Sequence, residues 1–202
     1  MNNIYSEYNV NYISGCMSLR PPQKRSLKIL EDILDELDIE KNQDLERALE
    51  IVHDLFPTCI NFERDFMSLT FALATGVGKT RLMGAFITYL YTQKGVKNFF
   101  IVAPNLTIYN KLMKDLGDPS SEKYVFRGIG CFSQNIPNLI TGDNYKEKGL
   151  MQGFSDVTIN VFNISKFNRE IGNIHHLSEY LGQSYFCLLY TSPSPRDGAT
   201  SR

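Results

Sequence analysis

Two periods of apolar residues alternate along the chain. From Leu27 they return at Leu30, Leu34 and Leu37, with Lys and Glu between them. That three-to-four spacing puts one face of a helix in a core. Pro21-Pro22 stands just ahead, where a helix tolerates proline because its first N–H groups lack partners anyway. Leu45, Leu49, Val52 and Leu55-Phe56 repeat the pattern and predict a helix over 42–56 that Pro57 ends. The period then shortens. Residues 66–72, Phe-Met-Ser-Leu-Thr-Phe-Ala, are apolar and β-prone and predict a strand. Helical spacing resumes over 82–90, and Lys94-Gly95 marks the end of that helix. Residues 98–103, Asn-Phe-Phe-Ile-Val-Ala, form a continuous apolar run, as in a parallel strand buried on both faces. Pro104-Asn105 turns the chain into a helix reaching about Leu116, with Asn105 as its N-cap. Short strands are predicted at 124–126 and 138–141, and a clear one at 157–162. Residues 1–18 show no period. Strands alternating with helices predict an α/β fold with a mostly parallel sheet.

Composition changes this picture little. The 202 residues are 43% hydrophobic and 21% charged, which suits one α/β domain with an N-terminal extension. The net charge of -1, from 21 basic and 22 acidic residues, carries no global basic field of the kind that coats nucleic acid. It leaves room for a protein that grips a strand through a few local contacts. Cys16, Cys59, Cys131 and Cys187 are scattered, without a C-x-x-C pair, and read as reduced thiols. There is no leader-like start and no apolar run long enough for a bilayer, so a cytoplasmic protein without membrane contact is the expectation.

The chemistry lies at Leu73-Ala74-Thr75-Gly76-Val77-Gly78-Lys79-Thr80, between the predicted strand and helix. This reads as a phosphate-binding loop. Gly76 and Gly78 permit dihedrals barred to residues with a Cβ and let backbone N–H groups approach phosphate oxygens. The helix starting near Lys79 aims its positive end at the same oxygens. Lys79 adds a mobile charge for the β- and γ-phosphates, and the Thr80 hydroxyl is placed to ligate Mg²⁺. Thr75, Val77 and Arg81 complete the candidate cradle.

The usual pattern has glycine where this chain has Leu73. The form x-A-T-G-x-G-K-T resembles the superfamily 2 helicases and DNA translocases. Leu19-Arg20-Pro21-Pro22-Gln23, about fifty residues upstream, is similar to their Q motif. A glutamine amide carries both donor and acceptor and can pair with an adenine edge, so Gln23, with Arg20 beside it, is the candidate adenine sensor. Val102-Ala103-Pro104-Asn105 resembles their motif Ia, which implies nucleic-acid contacts at Pro104, Asn105 and Thr107. Ser165, after the strand at 157–162, is a further candidate contact. Asp143 sits in a turn-like Gly142-Asp143-Asn144-Tyr145 and reads as a turn residue rather than a magnesium acid. His53 and His175-His176 read as surface residues.

Phe-Ile-Val-Ala-Pro-Asn and Ile-Thr-Gly-Asp-Asn-Tyr bring the resemblance closest to the type III restriction enzyme Res subunit and related DEAD/DEAH-like proteins. It implies a three-layer RecA-like P-loop domain, incomplete at its C-terminus. It also implies ATP and Mg²⁺ as cofactors, DNA as partner, and a modification methyltransferase subunit beside it. In this superfamily an apolar strand ending in Asp-Glu supplies the second Mg²⁺ ligand and orients the water. Here the apolar run over 185–190 turns instead into a Ser/Pro/Arg/Gly mixture. That tail looks like a translated sequencing adapter, and native sequence is expected to stop near residue 187. The expected layout is a helical extension over 1–65, a truncated RecA-like ATPase domain over 66–187, and a disordered tail over 188–202. The function expected is that of an ATP-binding motor fragment of a DNA-dependent ATPase or helicase from a restriction or related defence system, a family whose members often carry an endonuclease domain beyond the motor. This chain alone is expected to be inactive. A P-loop kinase or regulatory ATPase without a DNA role, and an inactive fragment, stay open as alternatives.

Overall fold

The computed structural model describes residues 5, 7–37, 44–63, 66–141, 144 and 155–163, together with the backbone of 186–189. They divide between two compact units, Met1–Lys94 and Gly95–Arg202.

The first unit is helical. Helices α1 (Val10–Cys16), α2 (Pro21–Glu36), α3 (Leu45–Leu55) and α4 (Lys79–Lys94) follow in order. The apolar stripe of α2 does what its spacing predicts: Leu27, Leu30, Ile33 and Leu34 are all buried. Helix α2 packs against each of the other three helices. Ile33 and Leu37 meet Ala48 and Val52 of α3 and Phe62 beyond it in one apolar cluster. Asp44 caps α3 by accepting the Glu46 and Arg47 N–H groups at 3.1 and 3.2 Å.

Helix α4 is buried nearly all round, from Leu82 through Thr92. A helix in that position needs no polar face, and its threonines must find partners inside it. Thr88 and Thr92 donate to the carbonyls of Gly84 and Thr88, each at 2.8 Å. Gly95, at φ +70°, ends the helix in the left-handed conformation expected of Lys94-Gly95. The N-terminal stretch is more ordered than its lack of period suggested. Asn9 caps α1 through the Tyr12 N–H at 3.0 Å. Gln93 Nε2 donates to the Tyr5 and Tyr8 carbonyls at 2.8 and 3.2 Å.

One expected element is absent. Residues 66–74 lie in no strand. A β-prone run becomes a strand only when a neighbour completes its hydrogen-bond ladder, and no ladder among the described residues includes this run. Phe71 instead lays its ring on Phe86 of α4, with centroids 4.9 Å apart.

The second unit is α/β. It contains β1 (Asn98–Ala103), α5 (Leu106–Gly117), α6 (Gly130–Gln134), β2 (Asn138–Thr141), β3 (Thr158–Asn163) and β4 (Phe186–Leu189). The four strands form one sheet in the order β2-β3-β1-β4. Every pairing is parallel, with Phe99 level with Ile159 on one side and Phe186 on the other. Phe99, Ile101, Ile159 and Val161 are fully buried, as continuous apolar strands in a parallel sheet should be. Helix α5 packs on β1, β2 and β3. Gly117 sits so close to β2 that a Cβ there would lie 2.5 Å from Leu139 Cδ2. The strand expected at 124–126 is a turn. Its aromatic residues are buried as a cluster, with Phe126 4.6 Å from Phe132 and 5.6 Å from Tyr124, and that packing replaces a ladder. Among the described residues, no helix is long and apolar enough to cross a membrane.

Candidate functional site

The glycine loop has the backbone its sequence calls for. Gly76 lies at φ +81° and Gly78 at φ +95°. Both values fall where a Cβ is strained, so glycine is required at each. At Gly78 there is a second reason: a Cβ would meet Gln23 Nε2 at 2.7 Å. At Gly76 nothing lies within 4 Å of that position. Helix α4 starts at Lys79, and the Gly78 carbonyl accepts the Arg81 and Leu82 N–H groups at 3.0 and 3.2 Å. Gly78 thus stands at the head of the helix without a side chain to cap it. With the Arg81 amide taken by Gly78, the Lys79 and Thr80 amides are the first-turn donors that an external acceptor could use, with the positive end of the helix behind them.

Lys79 is half-buried, and no carboxylate among the described residues pairs with it. Thr80, one residue on, is 6% exposed. Thr75, Gly76 and Arg81 are exposed and Val77 half-buried. A backbone nest, a helix N-terminus, a lysine and a threonine hydroxyl are the groups a Mg²⁺–triphosphate needs, so the residues present fit one.

The N-terminus of α2 reaches the same loop. Arg20 Nη1 donates to the Gly76 carbonyl at 3.0 Å. Gln23 Nε2 donates to the Gly78 carbonyl at 2.8 Å. The other end of that amide, Oε1, accepts the Arg20 N–H at 2.7 Å. Gln23 is 1% exposed. The sequence brings Gln23 and the loop to one site, as the motif pairing suggested. It does not reveal that both ends of the amide are engaged with backbone. A glutamine three residues into a helix that opens on Pro-Pro could have signalled the capping half of this arrangement.

The second candidate site lies in the other unit and is described by itself. Between β1 and α5, Asn105 is extended and caps α5, its Oδ1 accepting the Ile108 N–H at 2.9 Å. This is the N-cap expected from sequence. Asn105 and Thr107 are exposed, Pro104 is half-buried, and Leu106 is 58% exposed. Ser165, Asp143 and the His175-His176 pair lie outside the described residues. His53 is exposed, with Nδ1 3.3 Å from the Cys59 carbonyl. Cys16 and Cys59 are free thiols.

Comparison with known families adds the deciding observation. The family described as "Type III restriction enzyme, res subunit" matches residues 16–189, which takes in both candidate sites. The chain belongs to this family. Residues 16–189 are accordingly a helicase-like ATPase domain of the type III restriction kind, and their parallel sheet is that of a P-loop α/β fold. The Res-family match starts four residues ahead of Arg20, so the α2 segment that grips the loop is part of the family domain. No curated protein and no solved structure matches the chain.

Proposed function

We propose that this chain is the ATP-binding part of a DNA-dependent motor from a restriction or related defence system. The observation that carries the reading is the loop itself: two left-handed glycines lead straight into an uncapped helix at Lys79-Thr80. In this reading Thr75, Gly76, Val77 and Gly78 cradle the phosphates with backbone N–H groups. Lys79 contacts the β- and γ-oxygens, Arg81 borders the cradle, and Thr80 ligates Mg²⁺. Arg20 and Gln23 border the nucleotide, with Gln23 on the adenine edge. Mg²⁺, when held by Thr80 and the phosphates, would supply charge neutralisation. Pro104, Asn105 and Thr107 touch a DNA backbone, Ser165 is a further contact, and a methyltransferase subunit is the partner in the assembled enzyme.

The test is calorimetric titration of the chain with Mg²⁺-ATP. Binding is expected, and Lys79→Ala should weaken it roughly tenfold to a hundredfold, the range for loss of a charged hydrogen bond. Equal affinities for the two proteins would end the reading. Turnover is a separate measurement. The sequence holds no apolar strand ending in Asp-Glu, so binding without sustained hydrolysis is expected, and steady phosphate release that Lys79→Ala abolishes would contradict it. The near-neutral charge of -1 favours one other reading, a P-loop module without a DNA role. Single-stranded and duplex DNA should raise ATP affinity if the chain is a motor and leave it unchanged if it is not.

A further inference from the structure

Helix α4 is gripped at the end away from the glycine loop, by residues that lie ahead of the family match beginning at residue 16. Its last turn carries two side chains that need polar company. Tyr91 is buried, and a buried phenol needs a hydrogen-bond partner. Its hydroxyl lies 3.1 Å from that of Tyr5, with the two rings 5.5 Å apart. Gln93 is half-buried, and its Nε2 donates to the Tyr5 and Tyr8 carbonyls at 2.8 and 3.2 Å. Those carbonyls stand outside any helix or strand, so a side-chain donor takes the place of a ladder's. The contacts are also linked in series. One amide holds two carbonyls, and the Tyr8 N–H donates back to the Tyr5 carbonyl at 2.9 Å. The Tyr8 ring meets those of Tyr5 and Tyr12 edge-on, at 5.7 and 5.0 Å. Past Tyr12 the anchorage turns apolar: Ile13 and Met17 are buried.

We infer that Tyr5, Tyr8 and Tyr12 form a clasp on α4, a conformational device outside the family domain: it fixes the last turn of the helix and opens as one unit, with Ile13 and Met17 as its fixed end. Linkage in series makes the opening cooperative, because losing the Gln93 amide releases two carbonyls at once and loosens the rings stacked behind them. Tyr5 and Tyr12 are only half-buried. A segment held by a few polar contacts at a partly exposed edge opens at a lower free energy than the core does. The device therefore gives α4 a releasable end, remote from Lys79, while the apolar packing of α1 stays closed.

Amide hydrogen exchange on the full chain tests this, comparing the wild type with Gln93→Ala and Tyr5→Phe. Both substitutions remove polar contacts of the clasp and leave the apolar anchors in place. Each is expected to speed exchange at the Tyr8 and Tyr12 N–H groups, and at those of residues 91–94, about threefold to tenfold, the range for one lost hydrogen bond. The Met17 N–H, which donates to the Ile13 carbonyl at 3.0 Å, should keep its wild-type rate, as should the amides of residues 82–86. A rise of equal size at all of these positions would mean a general loss of stability and no separate clasp. A response in one variant only, or on one side of the contact only, would mean that the contacts act separately. Either result, or unchanged exchange in both variants, would overturn the inference.

Discussion

Two helices in this protein begin after a turn that could serve an anion, and they begin differently. Helix α5 starts behind Asn105, whose side chain takes up the Ile108 N–H. Helix α4 starts behind Gly78, which has no side chain to offer. The first arrangement is self-sufficient: one orphan amide is satisfied internally and the helix is stable without a ligand. The second closes its third amide on the Gly78 carbonyl, which Gln23 of the neighbouring α2 also holds, while Arg20 holds that of Gly76. A helix start can be built for stability or for binding, and the residue at the cap position decides which. This weighs differently on the two candidate sites. Each start keeps two further first-turn amides, those of Lys79 and Thr80 at α4 and of Leu106 and Thr107 at α5, and α4 alone adds a lysine ammonium beside them.

The largest test of this contrast is Gly78→Ala. It combines left-handed strain with a Cβ 2.7 Å from Gln23 Nε2, which must move and give up its bond to the loop. A loss of roughly 2–4 kcal/mol is expected, read as a lowered denaturation midpoint. Gly76→Ala meets no neighbour and should lose only about 1–2 kcal/mol from strain. Equal effects would mean that Gln23 contributes nothing to the loop. At α5, Asn105→Ala should lose about 1 kcal/mol, the usual effect of removing a cap. Asn105→Gly should lose only a few tenths of that unit while taking the side-chain acceptor away from the Ile108 amide. Faster hydrogen exchange at Ile108 is the expected signature, and unchanged protection would sink the comparison.

The smallest effect concerns the body of α5. Asp115 is 4% exposed, and burial holds its carboxyl above the ordinary carboxylate range, against the pull of Lys111, Lys123 and Lys114. The folded state thus binds this proton more tightly than the unfolded state does. Stability is then greatest below the unfolded value of about 3.9 and falls as pH rises through the folded one. Asp115→Asn removes that dependence. Its midpoint should exceed the wild type's at neutral pH and converge with it near pH 3, so a variant less stable at pH 7 would refute the sign.

Much of this was legible because hydrophobic period reports on local structure. The stripe of α2, the apolar runs of β1 and β3, and the cap of α5 all carry their signals within a few residues. The failures have a common cause. Residues 66–72 read as a strand, but a strand is made by its neighbour, and no period in one segment reveals whether a partner aligns. Tyr124-Val125-Phe126 read as a strand because aromatic residues favour pleated surfaces; here their rings pack on one another and on Phe132. Helix α1 is seven residues long, too short to display a period. At the site, the glycine loop, Lys79 and Thr80 were legible from spacing. The Arg20 contact to Gly76 was not, because it joins residues 56 positions apart.

The order of strands in the sheet has a consequence for synthesis on the ribosome. Strand β1 emerges first but lies between β3 and β4, the last two to appear. At about 5–20 residues per second, Asn98–Ala103 waits several seconds for its first partner and longer for its second. Throughout that interval a Phe-Phe-Ile-Val run presents two open edges, the feature most prone to pair with another chain. Yield of native protein should therefore depend on how fast the ribosome delivers β3, and slow codons between Ala103 and Thr158 would send more of the nascent chain into aggregates.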